Sequence, residues 1–382
     1  MGAVLVLAWQ ALTVQANYAG NWSGLFRTGT LTSVPPRLAP STHRDAGPYG
    51  YDGQFYRFLA HDPFLRSGTA AYMDGPKVRS SRILVPLAAW VFAAGRPGLI
   101  DGAYVLVVAG FIFAGVYWLA ALMLRLGRHP ALGLLFLVVP ATIVSIDRMT
   151  VDVALAALTA GFAFYFIERR DPGMWLTAAA AGLVRETGLL LVAACVLASL
   201  ARRDFRKTFF WAAAAIPTLC WYAYIDQVLP RYIGAAELMP RWAIPRPRLG
   251  ILLRAIDPPH YSLPAALEAI ARGLDVLGLI AVMAAAVIAA LRLRVTPKGA
   301  LRMALALQLV LFLATTDKRF WDTPFGYARP FAPLFVLLLA AVGTRLGTAA
   351  VARAACLAAL IDLRVATEIK SQVHGVVRWI SG

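Results

Sequence analysis

Ala103-Tyr-Val-Leu-Val-Val-Ala-Gly-Phe-Ile-Phe-Ala-Gly-Val-Tyr-Trp-Leu-Ala-Ala-Leu-Met-Leu124 is an uncharged run that ends in the basic turn Arg125-Leu-Gly-Arg128-His129. A helix needs about 20 predominantly apolar residues to cross the hydrocarbon core, so 103–124 reads as a membrane span. The rest of the chain repeats the pattern of apolar run and basic turn. Of 382 residues, 60% are hydrophobic and 15% charged, with a mean hydropathy of +0.66, whereas soluble domains carry about a quarter charged residues. The expected fold class is therefore an all-α polytopic membrane protein. A single transmembrane domain over 1–382 is expected to hold about ten or eleven transmembrane helices.

Basic residues set the orientation. Arg125 to His129, Arg169-Arg170, Arg202-Arg203-Asp-Phe-Arg206-Lys207 and Arg292 through Lys298 to Arg302 are the strongest basic turns, and such turns stay cytoplasmic. Spans at 103–124, 131–147, 151–168, 209–228, 266–291, 303–316 and 330–346 alternate around them. The first segment, Gly2 to Tyr18, has no basic residue ahead of it and reads as an uncleaved first span with a cytoplasmic N-terminus. The stretch 19–102 then falls outside as a large first extracytoplasmic loop, and 229–263 as a second, Pro-rich one. Within the first loop the apolar run Ile83 to Gly95 is too short to cross and is expected to lie in the interface. Met174 to Leu200 has two cytoplasmic ends and a charged interruption at Arg185-Glu186, which predicts two half-spans with those residues at the tip. After Arg345, Thr348 to Leu363 reads as a last span, with a surface helix as the alternative.

The formal net charge of +17 is spread in short clusters between apolar runs, which suits anionic headgroups and not nucleic acid. Cys195, Cys220 and Cys356 are far apart in apolar stretches, so neither a disulfide framework nor a thiolate metal site is expected. The topology brings Asp52, Asp147, Asp152, Arg185, Glu186 and Arg329 to one membrane face. That convergence is the main functional signal.

Asp52 lies in Tyr49-Gly-Tyr-Asp-Gly-Gln-Phe-Tyr56. A general base needs an ionisable oxygen in a dry, shaped pocket, and aromatic neighbours supply walls and a sugar-stacking surface. The alternative for a loop aspartate is an Asx-turn. Tyr51-Asp52-Gly53-Gln54-Phe55-Tyr56, then Ala60-His61-Asp62-Pro63 and Arg79-Ser-Ser-Arg82-Ile-Leu-Val-Pro86, resembles bacterial membrane glycosyltransferases of the GT-C class. The resemblance covers the first hundred residues best, extends to Leu183-Val-Arg-Glu-Thr-Gly188 and returns at Tyr327-Ala-Arg329-Pro330.

That resemblance implies a catalytic carboxylate in the first extracytoplasmic loop, next to juxtamembrane helices. It also implies sugar taken from a polyprenyl-phosphate-linked donor and passed with inversion to a glycan or lipid acceptor. Asp52 would be the base. Arg329, Arg185 and Arg82 would meet the leaving phosphate, because arginine's planar fork donates two parallel hydrogen bonds. Tyr51, Gln54, Tyr56, Glu186 and Tyr327 complete the expected substrate-binding set. The implied location is the bacterial inner membrane, with the active site extracytoplasmic.

Asp147 and Asp152 are open as a second carboxylate or a metal ligand, but they lack the Asp-any-Asp spacing of some metal-dependent members. No metal and no cofactor are expected. A transporter or flippase for a lipid-linked or polar substrate is the alternative function, against which stands the lack of a second, matching broken segment. An O-acyltransferase would want a histidine inside the bilayer, and all five histidines fall in loops or the tail.

Overall fold

The computed structural model describes residues 2–231, 254, 258–261, 263–315, 317–343 and 348–381. Most of the expected second loop, 229–263, lies outside the described residues. The described residues are helical, with one isolated bridge between Thr28 and Arg44 and no strand. The helices are α1 Gly2–Tyr18, α2 Gly53–His61, α3 Pro76–Ser81, α4 Leu84–Phe92, α5 Pro97–Arg125 and α6 Pro140–Arg148. They continue with α7 Asp152–Ile167, α8 Asp171–Val184, α9 Leu189–Leu200, α10 Phe205–Ala212, α11 Ile216–Val228 and α12 Ala265–Arg292. The last are α13 Ala300–Ala314, the single turns α14 Lys318–Trp321 and α15 Pro324–Tyr327, α16 Ala332–Gly343 and α17 Thr348–Ser381.

Three stretches are long and apolar enough to cross a membrane: α5, the pair α10 and α11 read as one (Phe205–Val228), and α12. A fourth appears if Pro130–Val138 and α6 count as one span. That segment, expected as a continuous span over 131–147, is instead bent by 59°. Pro140 has no amide hydrogen to donate, and the residue before a proline is driven out of the helical region. Val139 accordingly sits at φ −72°, ψ 124°.

α7, α13 and α16 are apolar but short, at 16, 15 and 12 residues. The Arg185-Glu186 interruption does divide 174–200, into α8 of 14 residues and α9 of 12. At 1.5 Å per residue, α7 spans about 24 Å against about 43 Å for α5. All of α16 and the N-terminal twelve residues of α7 are buried, so these short helices form the centre. α7 packs against α5, α8 and α16. Small residues bring such helices close where hydrocarbon gives no drive to associate. A Cβ on Gly115 of α5 would run into the ring of Phe136.

The first loop sits over the ends of these short helices. α5 begins at Pro97, six residues before the expected start, so Asp101 lies in its first turns. There it binds Arg57 of α2, whose Nε donates at 2.9 Å, and lies 3.0 Å from His61 Nε2. Arg57 is fully buried and also donates to Thr42 Oγ1 and Ser41 Oγ. α4, nine residues long, is too short to cross. Trp221 and Tyr224 of α11 hold the loop from the other side, donating to the carbonyls of Ser80 and Phe64.

α17 departs from expectation. The helix does not stop near Leu363 but continues to Ser381, 34 residues in all. Val351, Ala354, Ala355, Ala358, Ile361 and Val365 are buried at three- and four-residue spacing against α1, α12 and α16. Gln372, further along, donates to Asp147. The amphipathic spacing, and not a uniform apolar run, decides its place.

Gly53 is where loop and bundle touch most closely. A Cβ there would overlap the carbonyl oxygen of Arg148 at the α6–α7 turn. Gly53→Val is expected to lower stability by about 2–3 kcal/mol, read as a fall in melting temperature of the detergent-purified chain, whereas Gly47→Ala, which meets nothing within 4 Å, leaves it unchanged.

Candidate active site

Asp52 precedes the first residue of α2 and is placed by backbone contacts on both sides. Tyr51 N–H donates to the carbonyl of Arg27 at 2.9 Å. Gly50 has φ +63°, a left-handed conformation that favours glycine. Gln54 ties the same turn together, accepting from Gly29 N–H at 3.3 Å and donating to the Tyr49 carbonyl at 3.0 Å. The Asp52 side chain makes no cap to the helix amides, so the Asx-turn alternative does not occur. Its carboxylate is turned instead to two arginines.

Oδ1 accepts from Arg79 Nη2 at 2.8 Å and Oδ2 from Arg329 Nη2 at 2.6 Å. Arg329 spreads its fork further, donating through Nε to Asp152 Oδ2 at 2.7 Å and through Nη1 to the Tyr51 hydroxyl at 2.9 Å. Asp152, fully buried in the first turn of α7, also accepts from Arg185 at the C-terminal end of α8. Its charge suits the amide-rich end of that helix. Beside this chain Arg82 binds Glu186 with both Nε and Nη2, at 3.2 and 2.8 Å, and donates to the Tyr56 hydroxyl at 3.0 Å. Arg79 is held by Asp74 at 2.8 Å and lies over the rings of Phe55 and Tyr56.

A cavity of about 340 Å³ opens on this network. Arg79, Arg82, Arg185 and Arg329 line it together with Asp52, Asp74 and Phe325. Four guanidiniums face four carboxylates, those of Asp52, Asp74, Asp152 and Glu186, so the protein's own charges balance at the site. Burial pushes the Asp52 carboxyl up, but Arg329 and then Arg79 outweigh it and hold it well below the usual carboxylate range. Tyr51 is pushed up by its own burial, against Arg329. Among the described residues no three His, Cys, Asp or Glu side chains gather into a possible metal site.

Of the residues singled out in the sequence, Asp52, Tyr51, Tyr56, Arg82, Arg185, Glu186 and Arg329 come together. Gln54 serves the turn behind Asp52 and does not line the cavity. Asp147 does not join: it pairs with Arg148 at 3.0 Å and Arg27 at 3.9 Å and accepts from Gln372. The Arg148 guanidinium lies between the rings of Tyr51 and Phe325, at 4.4 and 4.1 Å from their centroids, so Tyr51 separates the two charge clusters. Tyr327 is fully buried beside Trp321 with its hydroxyl towards Gly278 of α12, away from the cavity.

Three charged members, Arg79, Asp74 and Asp152, stand outside the expected set. Arg79 stands one helical turn before Arg82, and residues three apart share a helix face, which is the signal that links them. Asp152 was weighed only as a second carboxylate or metal ligand, and it serves instead as the buried counter-ion of two arginines.

No protein-family model, curated protein or solved structure matches the chain. The charged cavity rests on its own geometry. A larger cavity lies elsewhere, about 1260 Å³ between α4, α5 and the first loop, walled by Phe92, Leu99, Leu106 and Phe111. Its walls are mostly apolar, with Arg37, His61 and Asp101 among them, whereas four arginines and two aspartates converge on the smaller one.

Removing one partner from a buried ion network strands the other's charge, at about 3–5 kcal/mol. Asp152→Ala is therefore expected to depress the melting temperature more than Arg79→Ala, because it strands the buried Arg185 and Arg329, whereas loss of Arg79 leaves Asp52 with Arg329 and Asp74 exposed to water. A carboxyl depressed in the folded chain stabilises the fold above its unfolded value of about 3.9 and loses that contribution as pH falls through the folded value. The stability gap between wild type and Asp52→Asn is expected to be constant above pH about 5 and to close only in stronger acid, read as melting temperature against pH.

Proposed function

We propose that this chain is an inverting glycosyltransferase of the GT-C type with about ten or eleven membrane segments, several of them short and recessed. It moves a sugar from a polyprenyl-phosphate carrier to an acceptor hydroxyl at the extracytoplasmic face of a bacterial inner membrane. The observation that carries this reading is the position of Asp52 on the wall of a cavity that holds four arginines.

In the reaction Asp52 takes the proton of the acceptor hydroxyl as that oxygen bonds to the anomeric carbon. The bond from that carbon to the carrier phosphate breaks, and its electron pair leaves on the phosphate oxygen. Negative charge develops there, and preorganised cations in a dry site stabilise it far more than water does. Arg79, Arg82, Arg185 and Arg329 supply such cations as forks matched to phosphate. Phe325 walls the cavity, and Tyr51 holds Arg329 through its hydroxyl.

The ion pairing of Asp52 bears on how the base becomes active. With two guanidiniums on it, Asp52 is a weak base. A donor phosphate entering a charge-balanced cavity competes for the same guanidiniums and adds negative charge beside the carboxylate. Both effects raise its proton affinity. Donor binding thereby releases and strengthens the base, which couples the order of binding to chemistry.

Transfer is tested in nanodiscs with a panel of polyprenyl-phosphate sugars and mass spectrometry of the products. Wild type is expected to form one glycoside. Asp52→Asn is expected to fall at least about 10²-fold in rate while still binding the donor. Arg79→Ala, which removes a cation that depresses Asp52, is expected to move the acidic limb of the pH–rate profile to higher pH. Full transfer by Asp52→Asn rejects its role as base. A folded wild type that turns over no donor but carries substrate across vesicles replaces the enzyme with a transporter.

A further inference from the structure

A second charged cavity lies at the other end of the same helices. α7 carries Asp152 at its start and Tyr165 to Ile167 at its end, about 20 Å apart along the axis. Around that far end a cavity of about 610 Å³ is lined by Arg169, Arg202, Lys207 and Lys298, with Met174, Cys195 and Trp211 buried at its base. Arg169, Arg202 and Lys298 come from three separate connections, between α7 and α8, α9 and α10, and α12 and α13, and Lys207 from the first turn of α10. Each connection is a turn predicted to be cytoplasmic.

The acidic residues here are already engaged. Asp171 takes Lys207 at 3.2 Å, and Asp204 accepts from the Lys207 backbone N–H at the start of α10. Arg169, Arg202 and Lys298 have no carboxylate partner among the described residues. The Arg202 guanidinium reaches across to Gly299, where a Cβ would sit 3.4 Å from Nη2 and 3.3 Å from the Phe166 ring, and where φ is +121°. A glycine at this point lets the α12–α13 turn come up against the arginine. Beside the cavity α10 exposes Phe205 and Phe209, 61% and 76% accessible, which gives an apolar surface next to the charges.

We propose that this cavity binds a phosphate anion carried by a membrane phospholipid, with the phosphate between Arg169, Arg202 and Lys298 and the acyl chains along Phe205 and Phe209. Cations that merely obey the positive-inside rule have no reason to converge on one cavity with a closed apolar base. Basic pockets between membrane helices take anionic headgroups, and arginine forks favour phosphate. The site is independent of the transfer chemistry proposed for Asp52.

The full-length chain is purified in a zwitterionic detergent. It is incubated with dioleoylphosphatidylglycerol or dioleoylphosphatidylcholine and examined by native mass spectrometry and thermal unfolding. Wild type is expected to retain one phosphatidylglycerol and to gain stability from it, with little retention of phosphatidylcholine. The triple variant Arg169→Gln, Arg202→Gln, Lys298→Gln is expected to lose retention at least about tenfold. A matched triple on the same face but outside the cavity, Arg203→Gln, Arg206→Gln, Arg294→Gln, keeps it. Inorganic phosphate at millimolar concentration separates the sources. Displacement of the lipid, with stabilisation by phosphate alone, retains the anion site but makes its ligand soluble, and overturns the lipid assignment. Equal loss in both triples reduces the effect to general charge and overturns the site. So does a folded wild type that retains no anionic lipid and gains nothing from phosphate.

Discussion

Arg329 holds the molecule's three parts in one hand. Its three donor nitrogens reach Tyr51 and Asp52 of the first loop and Asp152 at the head of α7, while its own backbone leads into the fully buried α16. The loop, the central helix and the late chain thus share one guanidinium. Charges this deep are tolerated only when each has a partner. The pairing runs without a break from Asp74 through Arg79, Asp52, Arg329 and Asp152 to Arg185.

The depth of that chain follows from helix length. α7, α8 and α9, at 16, 14 and 12 residues, do not match α5 at 29, and Tyr104, already two turns into α5, meets the Met149 carbonyl beside the head of α7, which leaves a hollow beside the first turns of α5. The first loop fills it, with Gly53 pressed on the α6–α7 turn and Arg57 locked to Asp101. Apolar helices alone would leave the hollow to water or lipid. Ion pairs close it and also leave the small cavity lined by four arginines.

Much of this was legible in the sequence for particular reasons. The uncharged run before Arg125 announces α5, and charge at Arg185-Glu186 inside an apolar stretch announces the break between α8 and α9. Asp52, Arg82 and Arg329, which line one cavity, stand out in the sequence because charged residues next to spans need an explanation. Periodicity does not say which side of an aromatic ring a charge will fall, and so Asp147 was placed with Asp52 although Arg148 and Tyr51 divide them. Tyr327 is adjacent in sequence to the Arg329 motif, but a helical turn carries its side chain towards α12. Asp152 was hard to place because its function is to neutralise residues 33 and 177 positions away, a pairing that no local pattern records. The proline at 140 was visible, and its bend follows from proline chemistry.

The separation of those partners in the chain has a consequence for biogenesis. Asp52 and Arg329 are 277 residues apart. At about 5–20 residues per second, the ribosome delivers the arginine roughly 14–55 s after the aspartate. During that interval the loop has only the Arg79 contact, 27 residues away, to hold its carboxylate. The nascent chain therefore carries a half-built charge network until Arg329 is made. A stall or truncation ahead of Arg329 leaves Asp52 and the buried Asp152 without their shared counter-ion, and gives quality-control proteases a chemical mark of incompleteness.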